Sequence, residues 1–113
     1  MKIVREGISI SELKKMADQM FGDLVKAVVD IEKEIIAVDG ELHSDEEALL
    51  LQNGSKQENL WGINIYPEIK DKEWIEFDSM INLRPSLGNY SRNIGDPKIK
   101  EKIIQIVNKL IKK

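Results

Sequence analysis

The sequence predicts an α+β domain: an antiparallel sheet of about four to five strands with three helices on one face, in the order β-α-β-β-α-β-β-α. Three observations carry that prediction. Apolar residues recur with period two in some segments and at helical spacing in others. The strand-like segments are joined in pairs by short polar connections, which suit antiparallel hairpins and are too short for parallel crossovers. The chain has 113 residues, enough for one core, so residues 1–113 are expected to form a single domain.

Lys2–Val4 is short and apolar enough to start a strand. Ser9 has Glu12 three residues on, a capping-box spacing that satisfies free amides at a helix start. Ile10, Leu13, Met16, Ala17 and Met20 follow at helical intervals, and Gly22 offers a stop. From Leu24 to Ile31 the period changes to two, with Val25, Ala27, Val29 and Ile31 facing one way and Lys26 and Asp30 the other. Glu32-Lys33-Glu34 reads as a polar turn, and Ile35–Val38 returns as the hairpin partner.

Ser44 and Glu47 repeat the capping-box spacing before a leucine-rich helix that ends at Gly54. Its leucines lie nearly all round, so it is expected to be wedged under a loop or against a partner. Leu60–Tyr66 and Trp74–Leu83 read as two strands joined through Pro67. In the second, Ile75, Phe77, Ser79, Ile81 and Leu83 would face the core, and Glu76, Asp78, Met80 and Asn82 the solvent. Phe77, Ile81, Ile63, Ile65, Val29, Ile103 and Leu110 are expected to be buried together. Arg84–Gly95 is a long loop, after which Asp96-Pro97 supplies an N-cap and a first-turn proline for the last helix.

Composition narrows the function classes. With 42% hydrophobic and 33% charged residues the chain is too apolar for a disordered segment, and no apolar run nears the roughly 18 residues of a membrane span. Arg5 and Glu6 interrupt the N-terminal apolar stretch before it could act as a signal-peptide core. Cysteine is absent, which excludes disulfides, Cys-ligated zinc and thiol chemistry. A soluble, cytoplasmic protein is expected. The net charge of −3 argues against a nucleic-acid partner. Charge is unevenly placed: residues 1–83 hold 9 basic against 18 acidic side chains, residues 84–113 hold 8 against 2. That pattern suits either an anion site in the C-terminal third or two oppositely charged surfaces that meet.

Three constellations are candidates for chemistry. The loop Arg84-Pro-Ser-Leu-Gly-Asn-Tyr-Ser-Arg92 puts two guanidinium groups around hydroxyls just before a helix start. Guanidinium forks and hydroxyls suit phosphate or carboxylate. Arg84, Ser86, Asn89, Ser91 and Arg92, with Asp78 and Asn82 from the preceding strand, are the expected ligand-binding residues. The plainer alternative pairs Arg84 with Glu76 or Asp78. The second candidate is the polar sheet face of Glu76, Asp78 and Asn82 with Asn64 and Tyr66, which could hold Mg²⁺, divide acid and base roles, or simply face water. The third is His43, the only histidine, in an acidic stretch that lacks HExxH spacing. Asp45, Glu46 and Glu47 there are explained by the helix dipole without a metal. Trp61 and Trp74 are sheet-edge anchors if buried and a partner surface if exposed.

The segments Phe21–Asp30, Gly40–Leu51, Leu60–Pro67 and Trp74–Ser86 resemble a small prokaryotic family of about 110 residues, a domain of unknown function. The resemblance runs over nearly the whole chain. It implies a single domain and assigns no activity and no residue role.

The sequence therefore favours a small binding or interaction protein, forming a homodimer and holding an anionic ligand at the 84–92 loop. The alternative is a hydrolase or phosphate-ester enzyme built from Glu76, Asp78, His43 and Arg84. RNA binding through the basic last helix is the weakest reading. No cofactor and no metal are expected.

Overall fold

The computed structural model describes residues 1–113. In chain order the elements are β1 (Lys2–Val4), β2 (Ile8–Ser9), α1 (Ile10–Gln19), β3 (Val25–Asp30), β4 (Ile35–Val38), α2 (His43–Gln52), β5 (Leu60–Ile65), β6 (Ile75–Glu76), α3 (Pro97–Leu110) and β7 (Ile111–Lys112). Five strands form one antiparallel sheet in the order β1-β4-β3-β5-β6, and β2 pairs in parallel with β7. The α+β architecture, the three helices and the antiparallel pairing are those predicted. Both central hairpins are present: Val28 lies opposite Ala37 across one, and Ile65 opposite Ile75 across the other.

The helices do not share one face. Val25, Ala27, Val29, Ile36, Val38, Ile63 and Ile65 point to the side covered by α1 and α3, where they join Leu13, Ala17, Ile103, Ile106, Val107 and Leu110 in a cluster of 20 buried residues. The alternate residues Val28, Ile35, Ala37 and Leu60 point the other way and pack against Leu50 of α2 in a cluster of 5. The expectation of helices on one face is corrected for a simple reason. Val28 and Ala37 make the second face of the hairpin apolar as well, and that face needs a cover of its own.

Local signals operate as expected at two helix starts. Ser9 Oγ accepts the Glu12 N–H (3.1 Å) at α1, and Asp96 Oδ1 accepts the Lys98 N–H (2.9 Å) at α3. They fail at α2, whose N-cap is Leu42 with no side-chain cap bond, so Ser44 does not cap it. The β3–β4 turn is organised from below by buried Asp30. Its Oδ1 accepts the Glu32 and Lys33 N–H groups (2.9 Å each), and its Oδ2 accepts the Ser55 hydroxyl (2.6 Å). At the turn's end Glu34 meets Lys102 (3.0 Å) and Lys109 (2.8 Å) of α3, which hold its carboxyl down at about 2. Part of the charge asymmetry is thus two surfaces meeting within the fold.

The expected strand Trp74–Leu83 stops at Glu76, and a 3-10 turn follows at Met80–Asn82. Asn82 was placed on the solvent face and is instead fully buried. Its carboxamide acts as a peptide group would: Gly62 N–H donates to Asn82 Oδ1 (2.8 Å), and Asn82 Nδ2 donates to the Gly62 carbonyl (2.9 Å) and the Arg92 carbonyl (3.0 Å). A Cβ on Gly62 would lie 2.5 Å from Ser79 Cβ, so only glycine lets this segment lie so close to β5. Ser79 Oγ also accepts the Ile81 N–H (3.3 Å), so side chains take over the bonds that a strand ladder would use. Of the residues expected to be buried together, Ile63, Ile65, Val29, Ile103 and Leu110 are. Phe77 packs half-buried against them, and Ile81 packs on the α2 side.

Candidate functional site

The α2 face of the sheet changes character along its length. At one end α2 seals Val28, Ala37 and Leu60. At the other, Lys26, Asn64 and Glu76 replace the apolar residues, in register on β3, β5 and β6. Asn64 Nδ2 donates to Glu76 Oε1 (2.8 Å) and to the Asp78 carbonyl (3.3 Å), and the Tyr66 hydroxyl donates to Glu76 Oε1 (3.1 Å). The glutamate, by bond and by charge, and the ring's own burial raise the Tyr66 pKa, burial being the largest cause. Arg92 Nε reaches Asp78 Oδ1 at 2.6 Å on the surface.

His43 opens α2 and reaches this polar region. Its Nε2 lies 2.8 Å from the Ile63 carbonyl, so Nε2 carries a proton. Burial lowers its pKa below the usual imidazole value, as does Lys26, against the opposing pull of the Ile63 carbonyl, Asp78 and Asn64. Asn64 Oδ1 is buried without a partner, because its Nδ2 is fixed by Glu76 and Asp78. The ring is therefore flanked by two acceptors and has one proton to give while neutral.

Beside His43 lies a hollow of about 160 Å³ lined by Lys26, His43, Ser44, Ser79 and Arg92, with Leu42, Met80 and Ile81 at its edges. Lys26 has no ion-pair partner; its ammonium sits 5.0 Å from the Phe21 ring centroid. The uncapped start of α2 supplies the positive end of a ten-residue helix dipole. Two cations, two hydroxyls and a helix N-terminus can neutralise and hydrogen-bond a small anion. No cluster of three or more His, Asp or Glu side chains is placed to hold a metal ion.

The expected ligand set divides. Arg92 lines this hollow and is ion-paired with Asp78. Arg84 is not: its guanidinium bonds Glu47 (2.7 Å) and the carbonyls of Leu60 (2.6 Å) and Gln57 (3.0 Å), and lies 5.3 Å from the Trp61 ring centroid. That is the Leu60 end of β5, roughly 13 Å along the strand from Asn64. Its partner is Glu47, neither Glu76 nor Asp78. Asn89 is buried as the knot of its loop, donating to the carbonyls of Asn82 (2.7 Å), Ser91 (3.1 Å) and Asn93 (2.7 Å) and accepting the Gly95 N–H (2.9 Å). Ser86 and Ser91 are exposed; Ser86 lines a separate small hollow with Arg84. Of the residues considered for an enzyme, His43, Glu76 and Asp78 share one region and Arg84 stands apart. Trp61 and Trp74 are both buried, which makes them anchors.

A family model described as protein of unknown function (DUF5674) matches residues 2–110. The chain belongs to this family. The DUF5674 match spans all three helices and the five-stranded sheet. Among curated proteins, and among solved structures, nothing matches the chain. No helix of this DUF5674 chain is long and apolar enough to cross a membrane.

One group in the DUF5674 fold escaped the sequence reading. Glu46, explained from the sequence by the helix dipole alone, is fully buried. Its Oε2 accepts the Gly40 N–H (2.9 Å), Oε1 has no partner, and burial raises its pKa to about 9. Gly40 is required there, since a Cβ would lie 2.7 Å from Glu46 Cγ. The sequence carries no signal for this, because Leu49, Leu50 and Leu51 point round the helix and only the structure shows that the side of positions 43, 46 and 50 is the buried one.

Proposed function

We propose that the protein is a small binding protein that takes a phosphate- or carboxylate-bearing anion in the hollow at the start of α2. The carrying observation is that the unpaired Lys26 and Arg92 line the same hollow, beside a helix N-terminus without a side-chain cap. Lys26 offers a free ammonium, Arg92 a guanidinium bound on one edge by Asp78, and Ser44 and Ser79 offer neutral donors. Arg92 and the Asp78 side of the sheet stay in the site; Arg84 and Asn89 belong to the scaffold. Calorimetric titration with inorganic phosphate tests this. Binding should weaken at least tenfold in Lys26→Ala/Arg92→Ala, and equal affinity in that double variant removes the reading. Since His43 is the sole histidine and would add charge when protonated, affinity should rise as pH falls through its titration.

A second reading concerns a partner. Leu42 and Met80 line the hollow and are themselves 53% and 62% exposed, and Leu83, Leu87 and Tyr90 are exposed apolar side chains on the segment that follows Met80. A homodimer in the cytoplasm joined through this surface would cover it. Sedimentation of Met80→Asp against the parent chain tests the pairing: a concentration-dependent dimer in the parent alone supports it, and a strict monomer in both ends it.

A further inference from the structure

A second hollow, sharing no residue with the first, lies where α1, the β5–β6 connection and the end of β7 come together. It measures about 310 Å³, and its walls are of two kinds. Ile10, Pro67 and Ile69 supply apolar surface, and Lys14, Lys70 and Lys113 share the lining with them. The volume lies at the lower end of the range for small-molecule sites, and the mixture of apolar surface with a few convergent charges is typical of them.

Three ammonium groups around one concavity repel one another, more so beside a low-dielectric wall. The fold does little to offset this. Lys14 meets Glu68 at 3.6 Å with both side chains well exposed, a kind of pair that contributes little. Lys70 has no ion pair. Lys113 Nζ lies 4.0 Å from the ring centroid of Trp74, itself buried, which fixes the ammonium over an aromatic face and leaves its charge uncompensated. Asp71, the next acid in the connection, is engaged by the Glu73 N–H (2.8 Å). The chain as a whole carries −3, so no long-range field gathers anions; the attraction is local to this concavity.

We propose that this hollow binds a soluble organic anion: a carboxylate or phosphate monoester carried on an apolar body. The charged end would lie among Lys14, Lys70 and Lys113, and the apolar body on Ile10, Pro67 and Ile69. The larger apolar share of its lining favours an amphiphilic anion over inorganic phosphate as its occupant.

The test titrates the whole chain with octanoate and octyl phosphate, using octanol and inorganic phosphate as controls. It is read by calorimetry and by Trp74 emission in a Trp61→Phe background. The expected result is one saturable site for at least one amphiphilic anion, a change in Trp74 emission as Lys113 shifts, and at least tenfold weaker binding of octanol. Lys14→Ala/Lys70→Ala/Lys113→Ala should bind the anion at least tenfold more weakly with an unfolding midpoint no lower than the parent's, while the triple Lys→Arg variant retains binding. Equal binding of octanol and octanoate, unchanged affinity in the triple alanine variant, or no binding of either anion overturns the proposal.

Discussion

The two faces of the sheet are built on different principles. The face under α1 and α3 is a continuous apolar layer of 20 buried residues, and its helices carry caps that can be named in advance, Ser9 and Asp96. The face under α2 has 5 buried apolar residues, with polar groups buried around them: Asp30, His43, Glu46, Asn64, Ser79 and Asn82. Burial of apolar area is non-directional and tolerant of detail. Buried polar groups must find partners, and two on this face, Glu46 Oε1 and Asn64 Oδ1, have none. The first face supplies the bulk of the stability, and the second holds the titratable groups and the first hollow.

The contrast can be broken on the apolar side first. Ile103→Ala, a fully buried side chain of α3, should cost about 4 kcal/mol by transfer and cavity terms together, measured by urea unfolding. A loss under 1 kcal/mol would mean that this face is not the principal core.

On the polar side, Glu46→Gln should have the opposite sign. Glu46 is neutral in the folded chain up to about pH 9 and ionises near 4.5 when unfolded. The stability linked to its proton is therefore fully present below pH 4.5 and falls away as pH rises toward 9. Replacing it with an uncharged isostere should stabilise the protein by about 3 kcal/mol at pH 7 and by little at pH 4. Parallel pH profiles for parent and variant would show that Glu46 is ionised in the fold.

Smaller effects sharpen the comparison. Arg84→Ala should destabilise by about 2 kcal/mol, because it strands Glu47 and two carbonyls, and should leave phosphate affinity unaltered. Lost phosphate binding in that variant would return Arg84 to the site. Asp96→Ala should cost about 1 kcal/mol through its cap bond alone, and an unmoved unfolding midpoint would contradict the cap. Lys26→Ala should raise the His43 pKa by removing a nearby positive charge, followed by NMR of the single imidazole.

How much the sequence revealed follows the same division. Period-two and helical spacings located α1, α3, β3, β4 and β5 to within a residue or two, because each contributes a repeating set of apolar residues to the layer under α1 and α3. Trp74–Leu83 alternates as well as any strand, yet Asn82 and Ser79 hold it off the ladder with side-chain bonds that leave no mark in hydropathy. For Arg84 and Arg92, nearness in sequence suggested a shared ligand, and the chain turns between them through the Asn89 knot to different partners.

By itself, then, the sequence determined the fold class, the caps at Ser9 and Asp96 and the apolar layer under α1 and α3, since each depends on local pattern or on non-directional burial. Tertiary structure alone decided that α2 covers the second face, that Glu46 stays protonated there, that Glu47 holds Arg84, and that Lys26 and Arg92 line one hollow. These depend on which polar groups meet across long stretches of chain. Partner choice among polar groups is directional and is settled only when the backbone brings specific atoms within hydrogen-bond reach.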